Sequence, residues 1–173
     1  DPWMIRFRPL VSQDQDFLWD VLHVALWDPP PAGLRPREVL EHPGVQIYAQ
    51  DWGREGDVGV VALVGPEATP AGAAWMRLIT GGVGLAYVDD RTPQLGIALL
   101  PPFQHKGHGE PLLRAALDAA RAHGYTQVSL TVHPENPAIS LYERCGFRHA
   151  GLRGTYRLMV APLGDQAAAA TPG

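Results

Sequence analysis

A short polar loop with two glycines is the feature of this chain that most clearly indicates chemistry. The apolar run Leu95–Leu100 precedes two prolines, and the loop Phe103–Gly109 then leads into a helical pattern that starts at Glu110. A strand, a glycine-containing loop and a helix in this order direct backbone N–H groups and the positive end of the helix dipole to one place. The sequence therefore predicts a binding site for a phosphate-bearing ligand, contacted mainly by the loop backbone.

A second group of chemically useful side chains follows the next predicted strand, Gln127–Val132. Asn136 is a favourable helix cap, and Pro137 suits the first helical position. One face of the predicted helix carries Ala138, Leu141, Tyr142 and Cys145. A buried tyrosine usually packs in the core with one hydrogen bond, so Tyr142 has a structural interpretation as well as a chemical one.

Both motifs together resemble the GNAT superfamily of N-acetyltransferases. The first reads Gln104-x-x-Gly107-x-Gly109, and the second reads Asn136-Pro137-Ala138-x-x-Leu141-Tyr142-Glu143-Arg144-x-Gly146-Phe147. The resemblance covers residues 95–147, and the N-terminal half is similar only in the order of its elements. It implies an α/β fold in which helices flank a mixed central β-sheet. It also implies a V-shaped splay between the parallel strands Leu95–Leu100 and Gln127–Val132.

The resemblance implies acetyl-CoA, or a related acyl-CoA, as the acetyl donor. The glycines lack Cβ atoms, so the loop backbone can approach a diphosphate closely, and Lys106 adds a positive charge. The expected diphosphate contacts are Gln104, His105, Lys106, Gly107, His108, Gly109 and Glu110. The pantetheine arm would lie in the splay and pair with the main chain of Ile97 and Leu99, and Asn136 would add a polar contact. The N–H of Leu99 or its neighbour would donate to the thioester carbonyl oxygen.

The same resemblance gives Tyr142 the role of the general acid that protonates the departing CoA thiolate. An unperturbed phenol, with a pKa of about 10, suits this task. The general base stays open: Asp89, Asp90 and His133 lie near predicted strand ends, and an ordered water is a further possibility. Many relatives carry an acidic residue at the start of the cofactor strand, whereas this chain has Gln94, which cannot accept a proton.

Two histidines of the loop raise the question of a metal ion. His105 and His108 have no third ligand at metal spacing, so no metal site is predicted. His108 stands where the family commonly has a small apolar residue. Its side chain is expected either to point to solvent or to perturb diphosphate binding modestly.

The function implied is transfer of an acetyl group from acetyl-CoA to a primary amine, by direct attack in a ternary complex. A non-catalytic acyl-CoA-binding or sensing module of the same fold is the first alternative, favoured if Gln94 reflects the loss of a base. A nucleotide-binding α/β protein is the second. The chain lacks both a Gly-Lys-Ser/Thr phosphate loop and the triple-glycine dinucleotide pattern, which argues against the second alternative.

Acceptor specificity is expected to come from the N-terminal helices, a hairpin over residues 57–79 and a loop over residues 81–93. The aromatic candidates for the acceptor pocket are Trp27, Trp52, Trp75 and Tyr87, although each residue type is more often part of a core. The chain has 18 acidic and 14 basic residues, which favours a cationic acceptor such as a peptide N-terminus, a lysine, a polyamine or an aminoglycoside.

Composition limits the other classes of function. The 173 residues predict a single domain over residues 1–164 and an Ala-rich C-terminal tail over residues 165–173. A net charge of −4 and the lack of a long apolar run give no reason to expect a nucleic-acid or membrane partner. A single cysteine, Cys145, excludes an internal disulfide and fits the cytoplasm. Family analogy makes a homodimer possible.

Hydrophobic periodicity and turn residues predict the remaining elements. A strand is expected over residues 4–10, and Ser12 with Gln15 forms the capping box of a helix that continues to Leu26. The other expected elements are a short helix over residues 36–41, a helix rather than a strand over residues 44–52, hairpin strands over residues 57–64 and 72–79, a helix from residue 110 that Gly124 closes, and one or two strands within residues 148–160.

Overall fold

The computed structural model describes residues 1–164, which contain one seven-stranded mixed sheet. Its strands are β1 (Ile5–Pro9), β2 (Val58–Val64), β3 (Thr69–Arg77), β4 (Gln94–Leu99), β5 (Gln127–Val132), β6 (Arg148–Arg153) and β7 (Tyr156–Pro162). Their order is β1-β2-β3-β4-β5-β7-β6, and all neighbours are antiparallel except the pair β4 and β5. The expected α/β architecture is confirmed. The tail predicted over residues 165–173 lies outside the described residues.

Helices cover both faces of this sheet. They are α1 (Gln15–Ala25), α2 (Pro43–Gln46), α3 (Gly109–His123) and α4 (Ala138–Arg144), with 3-10 turns at Ser12–Asp14, Arg37–Glu41 and Pro101–Phe103. One core layer joins α1 and the segment after it to the face of β3 that carries Trp75. The second layer joins α3 to the opposite face, where Met76 is buried. The apolar stripes of α1 and α3 thus bury the sheet from both sides.

Most element boundaries agree with the sequence predictions to within one or two residues. Strand β5 has the predicted range, and Gly124 ends α3 in the left-handed conformation (φ 103°), which glycine adopts without a steric penalty. Two closing strands form rather than one. Strand β3 begins at Thr69 rather than at Gly72, because the hairpin turn is shorter than the gap between the predicted strands over residues 57–64 and 72–79.

The predicted capping box is wrong. Ser12 Oγ donates to Gln13 Oε1 instead of capping the helix. Gln15 is engaged elsewhere: its Nε2 donates to the Ala49 carbonyl at 2.9 Å, and its Oε1 accepts from the Trp52 N–H at 2.7 Å. The Gln15 side chain therefore makes long-range hydrogen bonds and does not form the helix cap that the local pattern predicts.

The segment over residues 44–52 is helical only at its start. Helix α2 ends at Gln46, and the chain continues in turns in which Ala49 and Gln50 still donate to the Gln46 carbonyl. No strand forms here within the described part of the chain, so the prediction of a helix rather than a strand is correct, but the predicted helix is longer than the observed one.

A buried ion pair fixes this turn segment to the sheet. Arg77 at the end of β3 donates to both carboxylate oxygens of Asp57 at 3.0 and 2.8 Å, and each side chain is only 3% exposed. Its Nη1 donates to the carbonyl oxygens of Ile47 and Gln50. The guanidinium also lies 5.5 Å from the centre of the Trp52 ring. One side chain thus satisfies several buried acceptors that no neighbouring strand can reach.

We predict that Arg77→Met lowers the free energy of unfolding by about 3–5 kcal/mol, because Asp57 is left buried and unpaired. Arg54→Met is the matched control, since Arg54 pairs with the 86% exposed Asp51, and about 1 kcal/mol or less is expected there. Urea unfolding measures both. Equal losses would contradict the assignment of a structural role to the Arg77 ion pair.

Candidate active site

The parallel strands β4 and β5 are paired at one position only. The register contains the single pair Gln94 and Ser129, and the Ser129 N–H donates to the Pro93 carbonyl at 3.1 Å. Beyond this point β4 stays paired with β3 up to Leu99, whereas β5 is paired with β7. The predicted V-shaped splay is therefore present, and its apex lies at the start of β4.

The backbone groups that face the splay can be identified from alternation along β4. The Leu100 N–H donates to the Ala71 carbonyl at 2.8 Å, so even-numbered residues of β4 direct their backbone groups to β3. Ile97 and Leu99 direct theirs to the other side, where no strand pairs with them within residues 1–164. The Leu99 carbonyl accepts a hydrogen bond from Gln104 Nε2 at 2.8 Å. The N–H groups of both residues remain available to a ligand.

The loop after β4 forms a concave row of backbone donors. His105 (φ 62°) and Gly107 (φ 82°) are in the left-handed region, and His108 has right-handed helical angles. Alternation of this kind turns successive N–H groups toward one point. The N–H groups of His105 through Glu110 have no acceptor among the described residues. Pro111 follows in the first helical turn, and because proline has no N–H group it needs no acceptor there. The row suits an anion with several oxygens.

Both loop glycines leave room that a side chain would occupy. A Cβ built on Gly107 meets nothing within 4 Å, so this position is open to a ligand. A Cβ on Gly109 would lie 3.1 Å from Leu141 Cδ2, so Gly109 allows the start of α3 to pack against α4. Gln104 differs from its neighbours because its N–H already donates to the Pro101 carbonyl at 3.3 Å. Its contribution is to position the loop through the bond to Leu99.

Charged groups near the row agree with an anionic ligand. Glu110 is turned toward Arg144 and Arg114, at 3.0 and 3.2 Å, and these hydrogen bonds lower the pKa of its carboxyl group. Lys106 Nζ lies 4.7 Å from the centre of the Trp3 ring, and no local sequence pattern connects Trp3 to this loop.

His108 does not point to solvent, so that part of the prediction is wrong. Its side chain is buried, and its ring lies 6.1 Å from the ring of Trp3, which covers it. The Nε2 atom has no hydrogen-bond partner in residues 1–164. The imidazole is therefore buried next to Trp3 and does not extend into solvent.

A cavity of about 360 Å³ opens on the splay between β4 and β5. Its floor is formed by Leu95, Gly96 and Trp75, and Gly96 is required because a Cβ there would lie 2.5 Å from the Trp75 ring. The polar lining consists of Arg35, Tyr48, Thr131, His133, Asn136, Tyr142 and Tyr156. No aspartate or glutamate is among the lining residues of the described chain.

Tyr142 occupies the position at which the motifs place a proton donor. Its ring packs edge-on against Phe147, with ring centres 5.9 Å apart, and the residue lines the cavity. Burial raises the pKa of the phenol to about 12. The hydroxyl is therefore protonated throughout the physiological pH range and can donate to a group in the cavity.

Asn136 acts as a helix cap, as predicted. Its Oδ1 accepts from the Ala138 N–H at 2.9 Å at the start of α4. The residue also lines the cavity, where the Nδ2 group remains as a donor. The capping bond fixes the orientation of this donor without using it.

Gln94 is a buried connector rather than an open polar group. Its Oε1 accepts from the Tyr48 hydroxyl at 2.8 Å and from the Ala86 N–H at 3.2 Å, and its Nε2 donates to the Val83 carbonyl at 2.9 Å. The Ser129 hydroxyl donates to the carbonyl of the same Ala86 at 2.6 Å. The amide thus attaches the 83–86 loop and Tyr48 to the apex of the splay.

Neither aspartate proposed as a base is placed to act as one. Asp89 accepts hydrogen bonds from the Arg91 N–H and the Thr92 hydroxyl. Asp90 accepts hydrogen bonds from the Gly81 N–H and the Tyr87 hydroxyl. These bonds lower the pKa of both carboxyl groups, and neither residue lines the cavity.

His133 does line the cavity, but its Nδ1 accepts from the Glu135 N–H at 3.0 Å. A backbone N–H can only donate, so the hydrogen of the neutral ring is on Nε2, which is a donor.

The aromatic candidates divide evenly. Trp27 and Trp75 line the cavity, whereas Trp52 is buried with its Nε1 bonded to the Leu10 carbonyl. Tyr87 is also absent from the lining, and its hydroxyl donates to Asp90. Sequence reasoning missed Arg35, Tyr48 and Tyr156, since no local pattern connects these distant positions to the site.

No group of three or more potential metal ligands comes together in the described residues. No helix there is both long and apolar enough to cross a membrane.

Comparison with known proteins identifies the family to which these features belong. The sequence profile of the Acetyltransferase (GNAT) family matches residues 19–147. Streptothricin acetyltransferase of Streptomyces lavendulae is 30% identical over 139 residues, which are 78% of this chain and 74% of that protein. Mycothiol acetyltransferase of Corynebacterium glutamicum (strain R) is 37% identical over 70 residues, which are 38% of this chain and 24% of that protein. The chain thus spans about a quarter of the length of the mycothiol acetyltransferases that it matches.

Solved structures show the same fold. PaiA N-acetyltransferase from Thermoplasma acidophilum in complex with coenzyme A has a TM-score of 0.65 and 20% identity, with 92% of this chain and 99% of that chain covered. Spermidine N-acetyltransferase from Vibrio cholerae in complex with CoA and spermine has a TM-score of 0.61 and 20% identity, with 92% of this chain and 95% of that chain covered.

We predict that Gln94→Glu destabilises the protein and does not supply a base. A carboxylate cannot donate to the Val83 carbonyl, and burying it there should lower the free energy of unfolding by about 2 kcal/mol or more. Gln13→Glu, at an exposed position, is the control and should change little. Urea unfolding and the rate of amine acetylation measure the two effects. A faster, equally stable Gln94→Glu variant would show that the position is a vacant base site.

Proposed function

Since this chain belongs to the GNAT acetyltransferase family, we propose that it transfers an acetyl group from acetyl-CoA to a primary amine, with residues 1–164 as a single catalytic domain. The observation that carries the proposal is the unpaired edge of β4, which continues into the row of free N–H groups from His105 to Glu110. Acetyl-CoA, when bound, supplies the reactive thioester and a thiolate leaving group.

The loop residues bind the diphosphate in this proposal. The backbone N–H groups of His105 through Glu110 donate to its oxygens, with the positive end of the α3 dipole behind them. Lys106 adds a positive charge, and its ammonium group can move from the Trp3 ring to a phosphate. The open space at Gly107 is where the ligand approaches the main chain most closely. Gln104 holds the loop in this form.

The edge of β4 orients the reacting end. The N–H and carbonyl groups of Leu99, which is nearer the diphosphate loop, pair with the pantetheine arm. The Ile97 N–H, which is nearer the apex of the splay, donates to the thioester carbonyl oxygen, where negative charge develops during attack. A positioned donor of this kind is worth about 3 kcal/mol. Asn136 Nδ2 adds a contact to the arm from the opposite side of the splay.

Tyr142 donates its proton toward the leaving sulfur. A phenol with a pKa of about 12 is a weak acid, but the burial that raises its pKa also raises the proton affinity of a thiolate formed in the same cavity. The attacking amine must lose a proton, and the described cavity lining offers no carboxylate for it. Water in the open part of the cavity is the proton acceptor in this proposal.

A non-catalytic acyl-CoA-binding module is the second candidate, and the same lack of a lining carboxylate favours it. The two candidates differ in one measurable property. An acetyltransferase releases CoA faster when an amine is added, whereas a binding module retains acetyl-CoA unchanged across a broad panel of amines.

We expect Tyr142→Phe to lower kcat about 100-fold, with little change in the affinity for acetyl-CoA, because only the proton donor is removed. Tyr125→Phe is the control: Tyr125 hydrogen-bonds the Gly56 carbonyl and does not line the cavity. Steady-state kinetics and calorimetric titration give the two quantities. An unchanged kcat would rule out the acid role of Tyr142.

Gly107→Val should abolish acetyl-CoA binding, because its side chain occupies the space open to the diphosphate. Gly82→Val controls for backbone strain, since Gly82 has a similar positive φ of 78° and also has nothing within 4 Å of a built Cβ. Both variants should lose similar stability, and only Gly107→Val should lose affinity in a calorimetric titration. Retained affinity in Gly107→Val would place the diphosphate elsewhere.

A further inference from the structure

We propose that the cavity contains a carboxylate-binding corner, formed by Arg35, His133 and Tyr156, and that the amine acceptor therefore bears a carboxylate near its amino group. This inference rests on the proposed function, whose acceptor it specifies. All three residues line the cavity, and each presents a hydrogen-bond donor that the fold does not use.

Arg35 contributes a guanidinium group to the corner, and Asp28 balances its positive charge. Its Nε and Nη2 donate to the carboxylate of Asp28 at 2.8 and 2.9 Å, and Nη2 also donates to the Tyr156 hydroxyl at 3.3 Å. The Nη1 group has no acceptor among residues 1–164, so two of the five guanidinium donors are free. Asp28 is not among the lining residues of the cavity, so it does not compete there for Nη1.

His133 and Tyr156 add neutral donors beside this group. The bond from the Glu135 N–H to His133 Nδ1 leaves the hydrogen of the ring on Nε2. The Tyr156 oxygen accepts from Arg35, so its own hydrogen is free to donate. The two rings are held edge to face, with centres 6.0 Å apart, and Trp27 packs against His133 at 5.7 Å.

The corner is held in place before any ligand arrives. His23 Nε2 donates to the Arg35 carbonyl at 2.6 Å, which attaches the backbone of Arg35 to the end of α1. Asp28 fixes the guanidinium through two parallel hydrogen bonds. A donor group whose geometry is set in advance loses little conformational freedom on binding, and that strengthens its selectivity.

The chemistry of the corner favours a carboxylate and disfavours a polycation. A carboxylate accepts several hydrogen bonds, and charge-assisted bonds from a guanidinium are among the strongest in proteins. A second ammonium group of a polyamine would lie among donors, with no lining aspartate or glutamate in the described chain. The overall charge of −4, from which a cationic acceptor was expected, does not describe this cavity.

The test compares amines that differ only in the carboxylate. Phenylalanine and phenethylamine form one pair, lysine and cadaverine a second, and spermidine is the polycationic reference. The wild-type enzyme should show a kcat/KM at least about tenfold higher for the carboxylate member of each pair. Preference for phenethylamine, cadaverine or spermidine would overturn the proposal.

Variants connect this preference to Arg35. Arg35→Gln should bring the ratio of the two kcat/KM values within each pair toward one. Arg35→Lys, which keeps a positive charge but loses the planar set of guanidinium donors, should reduce this ratio severalfold. Arg37→Gln is the matched control, because Arg37 is 58% exposed, pairs with Asp20 and does not line the cavity. A ratio that survives Arg35→Gln would overturn the assignment.

Binding of the acetylated products separates this proposal from the proposed function. With CoA present, N-acetylphenylalanine should bind the wild-type protein more tightly than N-acetylphenethylamine, and Arg35→Gln should remove the difference. If no amine is acetylated but this difference is found, the carboxylate corner stands and the transferase proposal fails. Equal binding of both products contradicts the corner, whatever the kinetics show.

Discussion

The pairing of β4 with β5 at a single position is the constraint on which the rest of this structure depends. Backbone N–H and carbonyl groups in a protein interior require partners, and a parallel pair normally supplies them along its whole length. Here the pairing stops after Gln94 and Ser129, so no strand of residues 1–164 pairs with the edge of β4 at Ile97 and Leu99. The loop after β4 extends this edge with its own free N–H groups. A ligand that is extended at one end and anionic at the other satisfies both.

The apex of the splay is stabilised by side chains rather than by further strand pairing. Gln94 joins Tyr48, Val83 and Ala86 in one buried network, and Ser129 binds the same loop from β5. This network shapes one wall of the cavity, which explains why a neutral amide at this position is compatible with a functional site. In the proposed mechanism, deprotonation of the acceptor therefore falls to water.

Much of the fold and of the donor site could be predicted from local sequence. The loop from Gln104 to Glu110 and the cap at Asn136 depend on backbone conformation and short-range bonds, which residue types such as glycine and asparagine specify directly. The acceptor side could not be predicted in this way. Arg35 and Tyr156 form a hydrogen bond although they are 121 positions apart in the chain. Gln15 bonds to Trp52, 37 positions away, and does not form the predicted helix cap. Such contacts depend on tertiary packing, which leaves no periodic signal.

Amide hydrogen exchange followed by NMR tests the central claim most directly, because it reports on the N–H groups themselves. On addition of acetyl-CoA, the amides of Ile97, Leu99 and His105 through Glu110 should exchange more slowly, whereas the surface amides of β6 should not change. ATP, which shares the adenosine and phosphate groups of acetyl-CoA but lacks the pantetheine arm, should leave Ile97 and Leu99 unaffected. Unchanged exchange at Ile97 and Leu99 under saturating acetyl-CoA would contradict the account.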